Sequence, residues 1–257
     1  TLSGGTLALS GGAALLASTS GGTLSSVAIA GDILLNTSSA RVLLAGTTSF
    51  TTARMSAGST SIGIVPGYTL TGTIVDEGAT GGNRVIEMNG SAGTFTIGAA
   101  GTIRLASGAG GDMIVGGVQF FGGTMTLVNN GLITAEAAGR TLTVQGSAFT
   151  NNNNAQATAG TLNIAFTNWT NPGSITATGA TLGFSGAWSN AGTLSVDAST
   201  LNLGGTFLTS GFNFPGFTRT GGTVNITGTL TNTAATLALN AATGSWNLSG
   251  GTLTGGS

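Results

Sequence analysis

A parallel β-helix, all-β and built of stacked coils, is the fold this sequence predicts, on three observations. A Thr-hydrophobe opening recurs about every 20 residues. Apolar and polar residues alternate after each opening, and Gly, Asn or Ser separates the alternating runs. The openings stand at Thr124, Thr141, Thr161, Thr181, Thr200 and Thr223. A repeat of that size cannot bury its apolar face alone and must stack on its neighbours. After the anchors come the pairs Met125/Leu127, Leu142/Val144, Leu162/Ile164, Leu182/Phe184, Leu201/Leu203 and Val224/Ile226. Period-two alternation of this kind is a half-buried strand, apolar side inward. A second inward position follows at Phe149, Trp169, Trp188, Phe207 and Leu230, and a third at Ile175, Leu194 and Leu237, with Phe217 displaced by a longer loop. Three short strands per coil of roughly 20 residues give about twelve coils and a rod on the order of 55 Å long. Gly and β-branched Thr every few residues argue against helix.

The second position defines a core stack of Phe149, Trp169, Trp188, Phe207 and Leu230, whose rings fall at one phase of successive coils. Two residues beyond stand Asn151, Asn171, Asn190 and Asn232. Asn tolerates left-handed backbone angles and bonds nearby backbone, as a tight corner requires. At a coil spacing of about 4.8 Å these amides form an Asn corner ladder.

Read in order, residues 1–257 form a single solenoid with two textures. Over 1–123 the coils are irregular, with short strands in Thr6-Leu7-Ala8-Leu9, DILLN and RVLLAG and a turn at Pro66-Gly67. Asp76, Glu77, Arg84 and Glu87 cluster in the least repetitive patch, read as a solvated charged loop near 72–92. The Gly-rich run GAGGDMIVGGVQFFGG lacks GxGxxG spacing, a following helix and a P-loop Lys, which excludes a nucleotide cradle. Over 124–257 the coils are regular.

Composition narrows function. Of 257 residues 47 are Gly, 5% are charged, and the net charge is -1. That leaves no electrostatic footprint for nucleic acid or an anionic membrane. Mean hydropathy is +0.37, yet no apolar run is long enough for a transmembrane helix. His, Cys and Lys are all absent, which removes the commonest general base, the soft metal ligands and Schiff-base chemistry. No cofactor or catalytic residue is therefore expected. Asp76, Glu77 and Glu87 are a weak Ca²⁺ candidate without supporting spacing, and Asp76 and Glu77 on one strand would point to opposite faces. Two alternatives stay open: a carbohydrate-binding or polysaccharide-cleaving β-helix, and an ice-binding solenoid. The second rests on Thr94/Thr96, Thr124/Thr126 and Thr141/Thr143, and the later coils break that array.

The T-L-x-[VIL] opening, the [FW]-[TS]-N corner and the N-x-G-x-[IL] segment at Asn190-Ala191-Gly192-Thr193-Leu194 resemble repeats of bacterial large exoproteins. These are the filamentous-haemagglutinin-like and autotransporter-passenger families. The likeness implies a right-handed helix and a secreted or cell-surface rod serving as adhesin, stalk or fibre, with surface glycans among its partners. An uncharged Thr/Ser/Asn exterior also fits an extracellular setting. The first residue is Thr, so the chain is expected to be a segment of something longer. LSGGTL occurs at 2–7 and again at 248–253. That identity leaves two readings open: ends that continue into more of the same polypeptide or join another copy head to tail, or caps in flanking sequence with LSGGTL recurring through low complexity.

Overall fold

Alternating residues give strands, and stacking buries their inward rows. The computed structural model, which describes residues 1–256, is a parallel β-solenoid of about 12 turns with essentially no helix. Its strands form an 18-stranded sheet, a 10-stranded sheet and a two-stranded sheet of Thr6–Ala8 and Ala28–Ala30. The large sheet supplies the first two strand positions of each coil and the 10-stranded sheet the third. In the most regular coils the first two positions are one bent strand: Thr141–Asn151, Thr161–Asn171 and Thr181–Asn190. The bend needs Gly186, whose φ is +75° and at which a Cβ would lie 1.7 Å from the Phe166 carbonyl oxygen. Only a residue without Cβ fits there.

The register sets like over like. Leu142, Leu162, Leu182, Leu201 and Val224 align in the first row. Phe149, Trp169, Trp188, Phe207, Leu230 and Leu253 align in the second. Ile175, Leu194 and Phe217 align in the third. All but the terminal Leu253 are buried. Each such side chain contributes about 1.5–3 kcal/mol through removal from water.

The two Trp rings stack at 5.3 Å between centroids and 15° between planes, and Phe207 continues the pile on Trp188 at 4.3 Å and 16°. Their indole N–H groups donate to the carbonyls of Ser185 and Gly204 at 2.8 and 2.9 Å, so burial leaves neither donor orphaned. Phe149 stacks on Phe166 at 5.1 Å.

Two expectations are corrected. Thr124 does not open a coil: Thr126 and Leu127 pair with Ala148 and Phe149, which puts this strand in the second row. That coil opens at Met113–Val115, aligned with Leu142–Val144, and the intervening segment 116–123 displaces the apparent period. Leu237 is not in a third-row strand either. The third row ends at Phe217–Thr220, and Leu237 is a half-buried residue packed against the core from an irregular turn.

Trp188→Ala should lower stability by about 3–5 kcal/mol, because neighbours held in register refill little of the cavity. Leu208→Ala, at a side chain 52% exposed, should change it by less than about 0.5 kcal/mol. Denaturant titration monitored by circular dichroism compares the two.

Candidate functional site

Three places gather polar or unpartnered groups. The first is the corner ladder. Asn129 donates to Asn151 Oδ1 at 2.6 Å, Asn151 to Asn171 at 2.7 Å and Asn171 to Asn190 at 2.5 Å. Each amide spends its other hydrogen on a backbone carbonyl: Asn154 and Ser174 accept from Asn129 and Asn151, and Thr193 accepts from Asn171. The row is buried throughout. Asn129 is a member that the sequence reading missed, because the displaced Thr124 line hid its phase. Asn232 is not a member. Phe212 pairs with Asn190 after an insertion of three residues within 208–211, and Asn190 turns its amide to the Gly192 carbonyl at 3.3 Å. The ladder is saturated internally, with little capacity left for a ligand.

The second place is the charged patch, and it is not a solvated loop. Asp76 ends the strand Thr73–Asp76 opposite Met55 and Leu105, which is the inward phase. Arg84 opens Arg84–Met88 opposite Thr60 and Met113, also inward. Both are fully buried, with Arg84 Nε 3.1 Å from Asp76 Oδ1. The guanidinium also donates to the Gly82 and Gly78 carbonyls at 2.6 and 3.1 Å and to the Thr80 hydroxyl at 3.3 Å, closing the turn between the strands. Asp76 Oδ2 has no partner. Burial pushes the Asp76 carboxyl up to about 6, and Arg84 offsets only part of that.

Glu87 lies on the same strand and points outward. The segment 116–123 folds over it: the amides of Gln119, Phe120 and Phe121 donate to its carboxylate at 2.7, 2.9 and 3.0 Å, and the Ser61 hydroxyl does so as well. Burial alone would raise its pKa, but Ser61 and those amides outweigh it and hold Glu87 below the usual carboxylate range. Glu77 turns to the outer surface and pairs with Arg54 at 2.8 Å, which also holds Asp32 at 2.8 Å. Asp76, Glu77 and Glu87 thus face three different environments and do not converge as Ca²⁺ ligands. Among the described residues no group of three His, Cys, Asp or Glu is placed to hold a metal ion.

The third place is the pair of terminal coils. Leu2 aligns with Leu24 and Leu7 with Ile29; Leu248 aligns with Ile226 and Leu253 with Leu230. All four stand at inward phases, yet Leu2, Leu248 and Leu253 are 42%, 63% and 46% exposed. Both LSGGTL copies run as strand, Gly-Gly corner and strand with left-handed Gly4 and Gly250, but Gly5 is also left-handed and Gly251 is not, so the two corners differ in backbone. The outward Thr pairs share no single array. Thr94 and Thr126 align with each other, whereas Thr141/Thr143 stand on the other part of the large sheet, and Ala148, Asn168 and Ala187 interrupt the Thr94 row.

Compared with protein-family models, with curated proteins and with solved structures, the chain finds no match.

Two outcomes follow from these geometries. Asn171→Asp should cost about 3–5 kcal/mol at neutral pH, by placing an unpaired charge where an amide donated to Asn190 and Thr193. The loss should shrink in acid, where the new carboxyl is neutral; urea titrations at both pH values measure it. Asp76 titrates in the fold near 6 against an ordinary 3.8. A carboxyl raised in this way favours the folded state below its ordinary value, and that contribution is lost as pH rises through about 6. Between about pH 4 and 7, Asp76→Asn should therefore show a smaller decline in stability with rising pH than the parent.

Proposed function

We propose that the chain is a non-catalytic rod segment of a bacterial extracellular fibre, stalk or adhesin, extended lengthwise by further coils of the same polypeptide or of a second copy. The observation that carries this reading is the parallel register that continues from Leu2–Ser3 to Thr252–Thr254. Such a stack yields length and stiffness. Seven of its thirteen charged side chains are spent on ion pairs within the fold: Asp76 with Arg84 inside, and Arg54 with Asp32 and Glu77 and Arg104 with Glu136 outside. The exterior rows are mainly Thr, Ser, Asn and Gly, which suits a surface that stays solvated without strong charge.

The terminal coils support lengthwise extension. Each offers apolar side chains at inward phase beside strand backbone, the kind of edge that proteins otherwise guard. One end laid on the other would set inward apolar side chains over inward apolar side chains. A head-to-tail contact of this kind does not close on itself and yields a filament.

Sedimentation and electron microscopy of the segment over rising concentration test this. Particles should lengthen end to end in whole-segment steps, and Leu253→Arg should return them to single length. Strictly single-length particles at the highest concentration, indistinguishable from those of Leu253→Arg, would refute extension by a second copy.

A further inference from the structure

The Gly-rich run around GGVQFFGG belongs to neither the stacked rows nor the end-to-end reading. It leaves the coil after Met113–Val115 and returns at Met125–Asn129, with no strand between them. Its two ends turn at Gly116 and Gly122, whose φ values are +84° and +79°. Both are conformations in which glycine is at ease and other residues are strained. Its tip is exposed, with Val118 at 72% and Phe120 at 40%.

Underneath, the contact is specific. The Phe121 ring lies on Gly63, where a Cβ would come within 2.8 Å of the ring and 3.0 Å of Leu43. Gly117 sits on Val85 and Ile114, where a Cβ would meet their methyl groups at 3.0 and 2.8 Å. The polar fastening centres on one side chain. Besides the amides already described, Phe120 N–H also reaches Glu87 Oε2 at 3.1 Å and Gly122 N–H reaches it at 3.3 Å. Gln119 Nε2 adds a bond to the Ser59 carbonyl at 2.5 Å, and the Arg41 guanidinium stands 4.8 Å from the Phe120 ring centre.

We propose that Gly116–Gly123 is a detachable strap, latched to the rod by the Glu87 carboxylate, which lifts when that carboxylate is protonated and uncovers an apolar strip formed by Leu43, Val85 and Ile114 around Gly63. The ionised group accepts from four successive backbone amides, which have no other acceptor nearby. Protonation turns one oxygen into a donor that faces those donors, so several bonds are lost together. The groups facing Glu87 set the direction. Strand Thr60–Ile64 presents Ser61 and Gly63, strand Arg41–Ala45 presents Arg41 and Leu43, strand Met113–Val115 presents Ile114, and the strap presents only amides, Gln119 and Phe rings. Arg41 is the one charge on that side among these elements; Arg84 faces inward from the same strand as Glu87, and Asp76 faces inward from the 10-stranded sheet. The Ser61 hydroxyl and the strap amides favour the ionised form and outweigh the apolar burial against Leu43, Ile114 and the Phe rings, so the strap stays closed at neutral pH and opens only in acid, below the ordinary carboxylate range.

Amide hydrogen exchange at residues 119–122, normalised for intrinsic rates and compared with the amides of Leu142–Val144, tests this. In the parent, protection of 119–122 should fall by about tenfold or more in acid while the row amides stay protected. Glu87→Gln should show the open strap already at neutral pH. Gly63→Ala, which pushes Phe121 aside and leaves the carboxylate intact, should weaken protection yet keep its pH dependence. Protection of 119–122 that is unchanged by acid and by Glu87→Gln, or that is lost only together with the row amides, would overturn the proposal.

Discussion

A single coil of this protein has no interior. Each inward side chain has as its nearest neighbours its own counterparts one coil away, so cross-coil register is the constraint on which everything else rests. Extra residues are tolerated where they leave the rows in step, and each departure from the repeat sits at a row's edge. The turn after Asp76, the strap over Glu87 and the three residues inserted within 208–211 all enter between aligned stretches. The third is the most disruptive, because it shifts pairing between Trp188 and Asn190 and brings Phe212 against Asn190.

That shift shows why ladders need like over like. An Asn in the corner row both accepts from one neighbour and donates to the next, so a ring in its place satisfies neither side. At Phe212 the interaction changes type: the amide row stops, and Phe212 packs edge-on to Trp188, Phe217 and Trp246 at 6.3, 5.5 and 5.6 Å. Aromatic contact is tolerant of angle where an amide chain is not. The rod therefore passes from a hydrogen-bonded corner to an aromatic one without losing its core.

What was legible in the sequence follows the same constraint. From Thr141 to Leu230 the lines of text lie over one another, and the placing of Trp169 over Trp188 could be read from spacing alone. The Thr124 line could not, because eight residues of strap between Val115 and Thr124 imitate part of a coil. Asn232 has the right spacing and the wrong neighbour, since a row position depends on what the adjacent coil inserts. The charged patch was misread for another reason. Sparse charges look solvated, yet alternation in Ile74-Val75-Asp76 and in Arg84-Val85-Ile86 already places Asp76 and Arg84 on the inward side. What spacing could not reveal was the covering of Glu87, which comes from residues more than 30 positions away.

Asp76 and Glu87 show how a solenoid handles carboxylates it has buried. Both are fully shielded from solvent and stand eleven positions apart on consecutive strands of different sheets, yet their proton affinities move in opposite directions. Asp76 has a full positive charge beside it but one oxygen without a partner, and the guanidinium spends three of its donors on the turn at Gly78, Thr80 and Gly82. Glu87 has no ion pair and is surrounded by a hydroxyl and successive amides. Donor count outweighs formal charge here. Hydrogen bonds aimed at both oxygens replace the lost water, whereas one shared cation replaces only part of it. In a chain without Lys or His, backbone amides of a Gly-rich segment are the ready source of such donors, which gives the run around GGVQFFGG a physical reason that its resemblance to a phosphate loop does not.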